Sequence, residues 1–122
     1  MTSPRPALAL SALLAVAGVS HFAHPKPYDR IVPTVLPGRA RTWTHISGVA
    51  ELAVAAAIVT PRTRRLGGLA AAVLFAAVFP ANVKMALDAR GRSRGERLAT
   101  LTRLPLQVPL VIWALRVSRS AP

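Results

Sequence analysis

Four long apolar runs, separated by segments rich in arginine, constrain the fold of this 122-residue sequence more than any other feature. The runs lie at about 7–23, 42–60, 66–86 and 98–116. As helices, the second and third reach ~28–30 Å, enough to cross the hydrocarbon core of a bilayer. A soluble bundle would place polar residues at every third or fourth position, and 66–79 contains none. The sequence therefore predicts an all-α protein, an antiparallel four-helix transmembrane bundle that forms a single membrane domain over residues 1–122.

The positive charge is distributed as in membrane proteins. Lys and Arg total 16 against four acidic residues. Nearly all of these basic residues lie in the connections or at the ends of the runs. A nucleic-acid-binding surface would instead show a basic stripe with interleaved aromatic residues, which this sequence lacks. The lipid bilayer is therefore the predicted partner, and nucleic acid is disfavoured. The absence of cysteine removes disulfides, thiolate metal sites and thiol exchange.

The first run has an alternative interpretation as a secretory signal peptide. Ala15-Val16-Ala17 resembles an A-x-A cleavage site. Against cleavage, one Arg precedes the run, and Pro4 and Pro6 suit the start of a helix. We expect the run to remain as a membrane span.

Prolines predict where regular helix is interrupted. The first connection contains four, which predict a loop over the mouth of the bundle with at most a short helical turn: Pro25, Pro27, Pro33 and Pro37. Three others fall inside apolar runs, where each removes a donor and frees a carbonyl one turn earlier: Pro80, Pro105 and Pro109. Carbonyls such as that of Ala76 then need other partners.

The polar residues inside the runs indicate where a site would lie. Glu51 is near the middle of the second run, where a charge costs ~3 kcal/mol or more. Counting helical rise places the other polar side chains in the same leaflet, the one that faces the two longer connections: His21, His45, Asn82, Arg103 and Gln107. We expect Gln107 or Arg103 to contact Glu51. Because the other leaflet is almost wholly apolar, a continuous pore is disfavoured.

These residues have two interpretations, a polar network that fixes helix packing or a site for a ligand or a proton. His21, His24 and His45 could in principle ligate a metal or haem. With no cysteine and few carboxylates, no metal site is predicted.

Short motifs along the chain carry a family resemblance. They are Gly18–Phe22 with Pro25, Tyr28-Asp29, Ile31–Pro33, Leu36-Pro37, Ser47-Gly48, Glu51-Leu52, Pro61–Arg65, Phe79–Asn82 with Met85-Ala86, Arg103–Gln107 and Trp113-Ala114. In this order they resemble the small DoxX-type membrane proteins. The resemblance implies a four-helix protein of the bacterial plasma (inner) membrane, and its motifs include His21, Glu51, Asn82, Arg103 and Gln107.

The resemblance implies a membrane subunit, or a small-molecule-binding component, of a redox or stress-related assembly. No covalently bound cofactor is expected; the ligand would be a quinone, and a membrane or soluble oxidoreductase would be the partner. In this hypothesis Glu51 holds or passes a proton, Arg103 balances its charge, and the other polar residues orient the ligand. The alternative is a non-catalytic membrane scaffold. Transport of a small solute is less favoured, because the sequence has no inverted repeat. Whether the protein is an enzyme is left open.

Overall fold

The computed structural model describes residues 3–88 and 91–122. Its six α-helices are α1 (Arg5–Ala23), α2 (Pro25–Ile31), α3 (Ala40–Val59), α4 (Arg64–Ala77), α5 (Phe79–Asp88) and α6 (Arg94–Arg119), and a 3-10 turn at Pro61–Thr63 precedes α4. No strand occurs among the described residues, and the predicted all-α fold is confirmed.

Four helical segments are long and apolar enough to cross a membrane. They are Arg5–Ala23, Ala40–Val59, Pro61–Asp88 and Arg94–Arg119. The third consists of the 3-10 turn, α4 and α5 in succession. The short helix α2 lies between the first two spans, where the sequence predicted a loop with at most one helical turn. A lipid bilayer is the environment that these four segments fit.

The ends of the helices follow from local sequence. Pro6 lies in the first turn of α1, where a proline costs no hydrogen bond. Ser93 caps α6, because its hydroxyl accepts a hydrogen bond from the Glu96 N–H at 3.2 Å. Glu96 also places a negative charge in the first turn of α6, near the positive end of the helix dipole.

The prolines inside the spans have unequal effects. Near Pro80, α4 ends at Ala77 and α5 begins at Phe79. Pro80 has no N–H to donate to the carbonyl of Ala76, one turn earlier. The N–H of Val78 donates to the carbonyls of Leu74 and Ala76, so the Ala76 carbonyl has another donor, as the sequence predicted. Helix α6, in contrast, continues through both of its internal prolines for 26 residues.

The helices α1, α3, α4 and α6 form an antiparallel ring. The hydroxyl of Ser11 on α1 donates to the carbonyl of Ala55 on α3 at 2.8 Å. Ser118 on α6 makes the equivalent bond to the carbonyl of Arg65 on α4 at 2.9 Å. Between α6 and α1, the indole of Trp113 donates to the carbonyl of Pro6 at 3.0 Å.

Two glycines allow neighbouring helices to approach closely. A Cβ on Gly48 of α3 would lie 3.0 Å from the Cβ of His21 and 3.2 Å from the carbonyl oxygen of Gly18, both on α1. A Cβ on Gly68 of α4 would lie only 2.7 Å from the backbone nitrogen of Ser118 on α6. Small residues at such crossings provide the packing that holds membrane helices together.

Apolar and polar burial are divided between the two halves of the bundle. We call the half that contains the chain ends and the α3–α4 turn the terminal half, and the opposite one the connection half. The terminal half contains the buried apolar core, which includes Leu10, Leu14 and Ile58. Glu51 and His21 are buried in the connection half. Many large apolar side chains face outward around the bundle, an arrangement suited to lipid rather than water.

The crossing at Gly68 gives a first prediction. Gly68→Ala places a methyl group against backbone that cannot rotate away, and we expect it to lower the free energy of unfolding by ~1–3 kcal/mol. The matched control is Gly95→Ala in the first turn of α6, where a Cβ meets no atom within 4 Å. The control should be neutral or stabilising by up to ~1 kcal/mol. Thermal unfolding in detergent, followed by circular dichroism, measures both; equal effects would contradict the close crossing.

Candidate functional site

A buried histidine and a buried carboxylate face each other across α1 and α3. Both His21 and Glu51 are 8% exposed. The Nδ1 atom of His21 lies 3.1 Å from Oε2 of Glu51 and 2.7 Å from the carbonyl oxygen of Ala17. A carbonyl can only accept, so Nδ1 carries a hydrogen that is directed at Ala17. Oε2 of Glu51 is therefore within ion-pair distance of His21 but has no hydrogen bond to any described residue.

The glycine crossing brings this pair together. Gly18 and Gly48 lie one helical turn before His21 and Glu51 on their respective helices. A side chain on Gly18 would collide with Leu52, since its Cβ would lie 2.8 Å from Cγ of that residue. Without these two glycines the helices would separate, and the His21–Glu51 distance would increase.

The short helix α2 folds back so that Tyr28 covers the histidine. The rings of Tyr28 and His21 are stacked with centroids 3.7 Å apart. The phenol oxygen of Tyr28 lies 2.7 Å from the hydroxyl of Ser20, at hydrogen-bonding distance. Tyr28 is half-buried and belongs to the site.

Asp29 attaches α2 to the first turns of α3. Its Oδ1 accepts from the hydroxyl of Thr44 at 2.6 Å, and its Oδ2 accepts from Nε of Arg41 at 2.8 Å. The hydrogen bond from Thr44, assisted by the Arg41 guanidinium, holds the pKa of the Asp29 carboxyl below its usual value. Asp29 also lies beside the N-terminus of α3, which has no side-chain cap of its own. The carboxylate therefore fixes α2 over the end of the bundle.

Gln107 is another buried polar residue of the connection half, in which Thr44 is buried as well. Gln107 lies on α6, is 9% exposed, and its Oε1 has no hydrogen-bond partner among the described residues. Gly67 of α4 contacts Ile58 of α3, and the adjacent Gly68 contacts Ser118 of α6. When helical rise is counted from these two contacts, the depths of Glu51 and Gln107 in the bundle agree to within about one helical turn. The unbonded oxygens of Gln107 and Glu51 are both buried acceptors.

Arg103, His45 and Asn82 make no hydrogen bond or ion pair with His21 or Glu51 within the described residues. Arg103 is exposed and directs Nη1 towards the sulfur of Met85 at 3.7 Å. His45 is exposed, and its ring stacks on Phe22 with centroids 5.1 Å apart. Asn82 is half-buried on α5.

The predicted contact of Glu51 with Gln107 or Arg103 is wrong: within the described residues neither makes a hydrogen bond or ion pair with Glu51, and its ion-pair partner is His21. Glu51 faces α1, which packs directly on α3 at the glycine crossing. The side chain of Arg103 instead extends along α5, the neighbour of α6 on that side.

Sequence reasoning missed Tyr28, Asp29 and Ser20 as parts of the site. The signal for Tyr28 and Asp29 was present in the run from His24 to Arg30, in which two prolines turn the chain immediately after α1. In the described ranges 3–88 and 91–122, no three His, Asp or Glu side chains are close enough to hold a metal ion.

The Asp29 contacts predict a pH-dependent attachment of α2. Because the folded-state pKa of Asp29 is lowered, its stabilising effect is fully present above the ordinary aspartate pKa of about 3.9 and is lost as the pH falls through the folded value. Asp29→Asn should therefore increase amide hydrogen exchange in α2 at neutral pH. The difference from the wild-type chain should shrink in acid below about pH 4. Glu96→Gln, at an exposed carboxylate paired with Arg92, is the control and should leave α2 unchanged.

Comparisons with known proteins place the chain in a family. Searches among curated proteins and among solved structures gave no match. The family described as "Domain of unknown function (DUF8561)" matches residues 10–118, a range that contains the His21–Glu51 pair, Tyr28, Asp29 and Gln107. Because this match covers most of the chain, the protein belongs to the DUF8561 family.

Proposed function

We propose that the protein binds a small quinone-like molecule at the buried polar residues of its connection half. In this proposal it is a membrane subunit or ligand-binding component of a redox or stress-related assembly, in the bacterial plasma membrane, with an oxidoreductase as partner. The resemblance of its motifs to DoxX-type proteins supports the setting. The match to DUF8561 is not a match to DoxX-type proteins, so that resemblance stays a prediction.

The observation that carries the proposal is the pair of buried acceptors without hydrogen bonds. Oε2 of Glu51 and Oε1 of Gln107 are both buried and unbonded. Each such group costs ~1–3 kcal/mol, and more if it is charged. Hydrocarbon offers no donor that would reduce this cost. A ligand that brings its own donors into the site would recover the lost hydrogen bonds.

The chemistry of the site favours the reduced form of such a ligand. Nδ1 of His21 is committed to the carbonyl of Ala17, so in the neutral ring Nε2 is an acceptor. Together with Oε2 of Glu51 and Oε1 of Gln107, the site thus offers acceptors in excess of donors. A hydroquinone has two hydroxyl donors, whereas the oxidised quinone has only acceptors. We therefore expect the hydroquinone to bind more tightly than the quinone.

The scaffold hypothesis rests on the same residues. His21 lies at the close crossing of α1 and α3, where its Cβ would be 3.0 Å from a Cβ on Gly48. The contact with Glu51 and the stacking of Tyr28 could serve only to fix that crossing. Substituting the pair would then change the stability of the bundle and nothing else. The two hypotheses differ in whether substitution of the pair also changes the affinity for a ligand.

Glu51→Gln tests the proposal, because it keeps the shape of the side chain and replaces one acceptor oxygen with an amide donor. We expect about a tenfold weaker affinity for a short-chain hydroquinone, from the loss of one hydrogen bond. Equilibrium dialysis of a radiolabelled hydroquinone against the protein in nanodiscs, without oxygen, measures this affinity. Glu96→Gln, at an exposed carboxylate of α6, is the matched control and should bind like the wild-type chain.

Two outcomes would contradict the proposal. One is a wild-type chain that binds neither hydroquinone nor quinone. The other is a Glu51→Gln chain that binds like the Glu96→Gln control while its melting temperature falls. Because the second outcome separates ligand binding from stability, it would identify the pair as structural and favour the scaffold.

A further inference from the structure

A groove at the opposite end of the bundle lies between α1 and α6. It has a volume of about 900 Å³, within the ~300–1,000 Å³ range of small-molecule sites. Its walls come from the start of α1, the C-terminal part of α6 and one side chain of α4. Among the residues that line the groove are Pro6, Arg64, Pro109, Ile112, Trp113 and Arg116. We call this the basic groove.

The groove is polar at one end and apolar at the other. Arg64 and Arg116 lie where the bundle meets the terminal surface. Pro109 lies seven residues before Arg116 on α6, which places it ~10 Å deeper in the membrane. Ile112 and Trp113 fill the interval between them. This gradient matches an amphiphile whose charged group is at the surface and whose chain points to the bilayer centre.

The two arginines are arranged to bind an anion. Arg64 is held by the end of α3, since its Nε donates to the carbonyl of Ile58 at 2.8 Å and its Nη2 to that of Val59 at 3.1 Å. Within the described residues no hydrogen-bond partner contacts its Nη1. Arg116 makes no side-chain hydrogen bond or ion pair within the described residues. Guanidinium groups form short, charge-assisted hydrogen bonds to phosphate oxygens, often two at a time.

The surroundings of the groove are strongly positive. The terminal half carries six arginines, at positions 5, 62, 64, 65, 116 and 119, and no aspartate or glutamate. All four acidic residues of the chain lie in the connection half: Asp29, Glu51, Asp88 and Glu96. An anion near the groove therefore meets attraction from several arginines and no nearby carboxylate side chain.

We infer that the basic groove is a binding site for one anionic phospholipid of the surrounding bilayer. The phosphate binds Arg116 and Arg64, and the acyl chain lies along Trp113, Ile112 and Pro109. The indole bond from Trp113 to the carbonyl of Pro6 holds the start of α1 against α6 and keeps the two walls together. Basic pockets between membrane helices recognise anionic headgroups by this combination of charge and apolar contact. The lipid would thus join α1 and α6 at the terminal end of the ring.

The test compares Arg116→Gln with Arg119→Gln. Both residues lie in the last turn of α6, but only Arg116 lines the groove. Native mass spectrometry of the purified chain, titrated with phosphatidylglycerol or with phosphatidylcholine of the same acyl chains, gives the affinity for each lipid. We expect the wild-type chain to prefer phosphatidylglycerol and Arg116→Gln to weaken its binding about tenfold. Arg119→Gln should behave like the wild-type chain, and Arg116→Lys should retain part of the preference because it keeps the charge.

Three results would overturn the inference. Equal affinity for the two lipids would remove the role of charge, and equal loss in Arg116→Gln and Arg119→Gln would remove the role of the groove. Tight binding of glycerol phosphate, which has no acyl chain, would identify a soluble phosphate as the ligand.

A second copy of the chain is the other occupant to exclude. Because the sequence has no cysteine, Ile112→Cys introduces a unique thiol into the groove. We expect no disulfide-linked dimer after oxidation in membranes. Efficient dimer formation would show that a second copy, rather than lipid, covers this surface.

Discussion

In hydrocarbon, a polar group finds a partner only within the protein or in a bound molecule, and this constraint governs the interior of the bundle. Ser11 and Ser118 meet it by donating to carbonyls of neighbouring helices. The terminal half can therefore be tightly packed and apolar. The connection half meets the constraint only in part, because the buried oxygens of Glu51 and Gln107 have no donor. That difference between the halves is the physical reason for placing a ligand site at one end.

The glycine crossing and the covering helix α2 produce the site together. Gly18 and Gly48 let α1 and α3 approach until His21 reaches Glu51. Asp29 then fixes α2 so that Tyr28 lies on the imidazole. Packing, stacking and hydrogen bonding thus converge on one histidine. A ligand of the proposed site that enters from the connection side would have to pass or displace α2, so the attachment of α2 would also control its access.

The two proposed ligands differ in chemistry. In these proposals the acceptor-rich connection end binds a hydroquinone, and the arginine-rich terminal end binds an anionic lipid. The proposed lipid site does not depend on the proposed hydroquinone site, because the groove is formed by α1, α4 and α6 on the terminal side. Bound lipid would strengthen the ring where α1 and α6 meet, and a stable ring would preserve the spacing of α1 and α3.

The sequence by itself determined the four spans and the buried carboxylate. Runs of about 20 apolar residues specify membrane helices whatever their neighbours are, and position along a helix fixes depth by rise alone. Only the tertiary structure decided that His21, rather than Arg103 or Gln107, lies beside Glu51. The partner of a side chain depends on how far each helix is rotated and how closely it approaches the next. Contacts such as those of Gly48 set both quantities, and they join residues far apart in the chain.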